Sequence, residues 1–66
     1  MRRNLYLFRH KLRLNQQEMA DIIGCSRATY SSIETGKRNG RVQFWEDLQK
    51  ACGLTGAEKG ELMKKE

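Results

Sequence analysis

The sequence has no proline, one histidine, one tryptophan and two cysteines among its 66 residues. Each shortage removes a class of explanation. Without proline, no helical pattern is broken at an imino nitrogen. Cys25 and Cys52 lie far apart with no Cys-x-x-Cys partner, and a lone His10 completes no zinc site. Neither a disulfide framework nor a structural metal is expected, and the thiols read as small buried hydrophobes in a reducing compartment. His10 reads as a surface residue. No apolar run is long enough to span a bilayer or to serve as a signal-peptide core, so a cytoplasmic location is expected. No nucleophile–base pair, metal cluster or phosphate loop is present, so neither enzyme chemistry nor a cofactor is expected. β-Branched residues are scattered and never alternate cleanly with polar ones, which leaves no strand signal.

What is present is positive charge, unevenly spread. The net charge is +5, but residues 1–41 hold nine basic and three acidic side chains, whereas residues 42–66 hold four and five. A one-sided basic surface suits nucleic acid. A chain this short is expected to form a single domain over residues 1–66, one that buries only roughly 60% of its unfolded surface.

Helix signals recur, and the pattern predicts roughly five short helices. The first starts near Asn4 as N-cap and buries Leu5, Phe8 and Leu12, with Arg9, Lys11 and Arg13 facing elsewhere. The second follows Asn15, where Glu18 completes a capping box and Leu14 and Met19 suit a hydrophobic staple. Its apolar face is Met19, Ile22 and Ile23, Ala20 permits close approach, and Gly24 ends it. The third begins at the N-cap Ser26, turns Tyr30 and Ile33 inward, and ends at Gly36. Two short helices around a glycine corner have the spacing of a helix-turn-helix. A basic loop, Lys37-Arg38-Asn39-Gly40-Arg41, precedes a fourth helix with Val42, Trp45, Leu48 and Cys52 as its stripe, stopped by Gly53. Phe44 and Trp45 read as edge and core packing, and Leu54 as a further anchor. A weaker fifth helix starts at Thr55 with Glu58 placed for a second capping box. It carries Leu62 and Met63 and frays into a solvated tail, Lys64-Lys65-Glu66. Arg2 and Arg3 read as a disordered end or, at most, a short arm.

The stretch Leu14 to Lys37, LNQQEMADIIGCSRATYSSIETGK, resembles the Cro/phage-repressor (XRE) family pattern L-T-Q-x-x-L-A-x-x-x-G-V-S-x-x-x-I-S-x-I-E-x-G-K. Its most specific matches are Gln16, Ala20, Gly24, Ser26 and Glu34-x-Gly36, with Leu14, Asn15, Met19, Ser31, Ile33 and Lys37 in support. The resemblance extends over roughly Leu5 to Leu54, leaving residues 55–66 as a C-terminal helix and tail. Departures are Arg13 for the frequent glycine, Cys25 for valine, Tyr30 for isoleucine, and Gly40 for the frequent proline after Asn39. Tyr30 is expected to crowd the core, and Gly40 to loosen the basic loop.

The resemblance implies an all-α, lambda-repressor-like bundle that places its third helix in the DNA major groove while the second crosses the backbone. Arg27, Ala28, Thr29 and Ser32 then become the base-contacting set. Arg27 can donate two parallel hydrogen bonds to guanine, and the Ala28 and Thr29 methyls suit thymine. Phosphate contacts fall to Gln16, Ser26, Thr35, Lys37, Arg38, Asn39 and Arg41. Arg9 and Glu34 are implied to form a structural ion pair. The partner is double-stranded DNA, bound by a homodimer on a two-fold operator, with the fifth helix and the corner before it as the dimer surface. The function expected is sequence-specific transcriptional regulation, mainly repression. An alternative is an antitoxin or co-regulator module acting mainly through protein contacts, for which Leu62 and Met63 would supply a surface.

Overall fold

The computed structural model describes residues 1–65. Five α-helices follow one another: α1 (Arg3–Lys11), α2 (Gln16–Ile23), α3 (Arg27–Glu34), α4 (Val42–Cys52) and α5 (Gly56–Met63). There is no strand among the described residues.

Local chemistry explains most boundaries. At α2 the Asn15 side chain accepts from the Glu18 amide at 2.7 Å and the Glu18 carboxylate accepts from the Asn15 amide at 2.9 Å. Two first-turn donors are thereby satisfied reciprocally. Thr55 and Glu58 repeat the arrangement at α5, and Ser26 caps α3 by accepting from the Thr29 amide. Gly24 closes α2 at φ +92°, a left-handed conformation that costs glycine nothing. The reversal takes only Gly24, Cys25 and Ser26, so α3 starts almost as soon as α2 ends.

α2 packs on α3 and α4, α5 on α1 and α4, and α1 on α3. Leu5, Met19, Ala20, Ile23, Tyr30, Ile33, Phe44, Trp45, Leu48 and Leu62 form one core, with Phe8, Leu14, Cys25, Cys52 and Leu54 packed against it. Both cysteines are half-buried free thiols, and burial pushes both above the usual thiol range.

The structure corrects several readings of the pattern. α1 begins at Arg3, and the Asn4 side chain spends its amide on the Glu61 carbonyl of α5 instead of capping. α1 also stops at Lys11, so Leu12 falls outside it and is exposed. Arg9, off the apolar stripe of α1, is nonetheless buried, because it pairs with Glu34 as the resemblance implied. Ile22 is exposed, and Val42 is 74% exposed while Phe44 takes the inward position on α4. Tyr30 does not crowd the core: it is fully buried and its hydroxyl donates to Glu34. Leu62 joins the core and so is lost to any partner surface. Lys65 donates to the Asn39 side chain at 2.7 Å and Lys64 pairs with Glu61; Glu66, the last residue of the expected tail, lies outside the described residues. His10 is exposed and lies against the Tyr6 ring at 4.2 Å.

Candidate nucleic-acid interface

At about 3.6 residues per turn, α3 divides into two faces. Tyr30, Ile33 and Glu34 turn inward, whereas Arg27 and Ala28 are exposed and Thr29, Ser31 and Ser32 half-exposed. The Arg27 guanidinium has no intramolecular partner among the described residues. Ser31 stands one turn beyond Arg27 on this outer face. The base-contacting set read from the sequence omitted it, although the i, i+4 step from Arg27 was available to find it. Thr29 leans the other way. It lines a cleft with Cys25, Arg38, Arg41 and Asp47, and its hydroxyl accepts from Ser26 at 2.9 Å.

The inner face holds α3 in place through one carboxylate. Glu34 is 3% exposed. It accepts from Arg9 Nε at 2.8 Å and Arg9 Nη2 at 3.1 Å, from the Tyr30 hydroxyl at 2.6 Å, and from Gln16 Nε2 at 3.1 Å. Arg9 Nη1 also donates to the Leu14 carbonyl at 2.8 Å. One network therefore ties α1, the α1–α2 turn, α2 and α3 into a fixed unit. Burial by itself would raise the Glu34 carboxyl, but the hydrogen bonds from Arg9, Tyr30 and Gln16 outweigh it and hold it below the usual carboxylate range. Its bonds to Glu34 push Arg9 up against the effect of burial. Burial, and then the bond to Glu34, push the Tyr30 hydroxyl up so that it stays a donor.

The cations of the loop after α3 face solvent. Lys37, Arg38 and Arg41 follow α3, all exposed. Among the described residues, the ion pairs are Arg9–Glu34 and Lys64–Glu61, so none of these loop cations, nor Arg27, is neutralised by a carboxylate. Four other polar side chains are partly committed. Gln16 gives an amide hydrogen to Glu34, although its backbone amide opens the first turn of α2. Ser26 donates to Thr29, and Thr35 donates to the Ser31 and Ser32 carbonyls. Asn39 accepts from Lys65 through its oxygen, which leaves its amide nitrogen to donate outward.

The loop is not loose. Arg2, assigned to a disordered end, is 3% exposed and is the hub of the loop's inner side. Its guanidinium donates to the carbonyls of Ile33 at 2.6 Å, Arg38 at 2.8 Å, Asn39 at 3.1 Å and Met63 at 3.1 Å. It also lies 5.3 Å from the centre of the Trp45 ring, within cation–π range. Trp45 Nε1 donates to the Asn39 carbonyl at 3.1 Å. Gly40 sits at φ +79° against that indole, and a Cβ there would lie 2.8 Å from Nε1. Glycine at this position is thus what lets the loop close down on Trp45, the reverse of the mobility expected from the missing proline.

The outer edge of α3 carries an arginine that is unpaired among the described residues, flanked by loop cations that no described carboxylate neutralises, an arrangement of hydrogen-bond donors suited to a polyanion. No helix among the described residues is long and apolar enough to cross a membrane. Comparison with known families matches residues 1–62 to the model of a helix-turn-helix domain. No curated protein matches the chain, and no solved structure does.

Proposed function

The chain belongs to the helix-turn-helix domain family, of the Cro/phage-repressor-like kind, and from that premise we propose that it is a sequence-specific regulator of transcription. It acts as a repressor, bound as a homodimer to a two-fold operator, with α3 in the major groove. Arg27, Ala28, Thr29 and Ser32 read base edges, joined by Ser31. Gln16, Ser26, Thr35, Lys37, Arg38, Asn39 and Arg41 meet phosphates, and Gln16 and Ser26 do so chiefly through backbone amides because their side chains are partly engaged. Repression follows by occlusion of the promoter in the cytoplasm.

The observation that carries this reading is the exposed Arg27, without a partner among the described residues, beside the basic loop. Arginine in the first turn of a recognition helix can meet guanine O6 and N7 together. The described residues extend over 25 × 23 × 23 Å, a size that suits one half-site when half-site centres lie roughly 34 Å apart. Selection of bound duplexes from a random pool, followed by sizing of the complex, tests the proposal. An enriched two-fold motif bound by two copies is expected. A pool that stays random, with binding that does not respond to salt, overturns it.

A second reading, an antitoxin or co-regulator module, has the exposed Val42 and Met63 in its favour. It requires a stoichiometric protein partner whose binding survives Arg27→Ala.

A further inference from the structure

Arg2 is a buried cation on an element with no assigned role in DNA contact. We infer that Arg2 is a positioning residue for the phosphate-binding loop, turning the loop's peptide planes so that their amides face outward; the inference rests on the DNA-binding reading above. All peptide bonds among the described residues are trans, and across a planar trans peptide the C=O and the next N–H point in opposite directions. Arg2 draws the Arg38 and Asn39 carbonyls inward. The amides of Asn39 and Gly40 therefore point away from it, and neither has an acceptor among the described residues. The Arg38 amide, by contrast, is spent on the Ser32 carbonyl at 3.1 Å. Two successive outward amides between the Arg38 and Arg41 side chains form a concave donor set for a phosphate oxygen.

Arg2 does this without reaching the ligand. It uses four of its N–H donors on four carbonyls from three parts of the chain: the last turn of α3, the loop, and the end of α5. A lysine keeps the charge, but its three donors radiate from one atom and cannot span those acceptors. The Lys65–Asn39 bond adds a second tie from the C-terminal side.

The test compares wild type, Arg2→Lys and Arg2→Met on a duplex selected by the wild type and on a random duplex, at several salt concentrations and at a temperature where each variant is folded. Both variants are expected to bind both duplexes about 10–100-fold more weakly. The slope of log affinity against log salt should shrink by about 1–2, as expected when the loosened loop no longer holds the Arg38 and Arg41 side chains against one or two phosphates. Base preference should be unchanged. A purely structural role would lower the melting temperature yet leave affinity and slope of the folded fraction alone, and that result overturns the inference. A folded Arg2→Lys with wild-type affinity and slope also overturns it. Residue-resolved amide exchange on the wild type needs no variant: Asn39 and Gly40 should exchange fast in the free protein and slow on binding DNA. Slow exchange of both in the free protein overturns the inference. If the wild type shows no salt-dependent duplex affinity, the DNA-binding reading falls and takes this with it. If the wild type binds and only the variant predictions fail, the inference alone is lost.

Discussion

Glu34 carries a negative charge into an interior that also holds two arginines, Arg2 and Arg9, and each charge is matched by geometry. Removing one partner of such a buried pair leaves the other uncompensated, at a cost of about 3–5 kcal/mol. A domain of this size holds only about 0.05–0.15 kcal/mol per residue in total. Glu34→Ala is therefore expected to be largely unfolded at 37 °C by urea titration, while Glu34→Gln, which can still accept from Arg9, should retain the fold with reduced stability. The acid limb follows from the same group. Its folded value lies below its unfolded one, so its contribution is fully present above about pH 4.3 and is lost as pH falls through the folded value. The melting temperature of the wild type should drop across that interval, and that of Glu34→Gln should drop less. Arg13 offers the opposite case. Among the described residues it is the non-glycine one with positive φ, +60°, and it lies in the α1–α2 turn. It is exposed, and its side chain makes no hydrogen bond or ion pair among the described residues. Arg13→Gly should relieve strain of about 1–2 kcal/mol, partly offset by the greater freedom of glycine in the unfolded chain. A net rise in melting temperature of a few degrees is expected; a fall would show that the arginine side chain stabilises the turn.

At the scale of elements, the helices and most of their caps were readable because both depend on neighbours in sequence, Asn4 being the cap that failed. Asn15 with Glu18, Ser26, Thr55 with Glu58, Gly24 and Gly53 all lie where short-range chemistry puts them. The loop was misread because its order comes from residues far away in the chain. The distance from Arg2 to its loop acceptors is 36 and 37 positions, and nothing in a local pattern reports such a bond. Gly40 shows the consequence. Gly40→Ala must hold a positive φ, costing about 1–2 kcal/mol, and must place its Cβ where the Trp45 indole nitrogen lies. It should lower the melting temperature, shift the tryptophan emission, and weaken duplex binding beyond the loss of folded protein. An unchanged emission spectrum and affinity would mean that the loop does not need to rest on Trp45.

For the whole molecule, the functional proposal divides the cations into two groups. Arg2 and Arg9 are internal and hold shape, whereas Arg27, Lys37, Arg38 and Arg41 face outward. A dimer that neutralises six to ten phosphates should bind about 10³–10⁵ more weakly at 200 mM than at 50 mM salt. Lys37→Ala should weaken cognate and random duplexes alike and reduce the salt slope by about one for each phosphate left without its lysine, whereas Arg27→Ala should cost about 1–3 kcal/mol on the cognate duplex and relax preference at one base position. Equal effects of the two substitutions on both duplexes would remove the base-reading role of Arg27. Net charge could suggest a polyanion, but it could not separate these two groups of arginines. The family resemblance implied the Arg9–Glu34 pair, whereas nothing marked Arg2 as internal.

The order of five helices and the caps at Asn15, Gly24, Ser26, Gly53 and Thr55 were set by the sequence read locally, since hydrogen bonds and periodicity over three or four residues suffice for them. The fate of Leu12, Ile22, Val42 and Leu62, the accommodation of Tyr30 and the bracing of residues 37–41 were decided only by tertiary packing. An apolar stripe states that a helix has a buried side, but which residues at its margins are covered depends on where the neighbouring helices end, and a buried guanidinium becomes tolerable only when distant carbonyls converge on it.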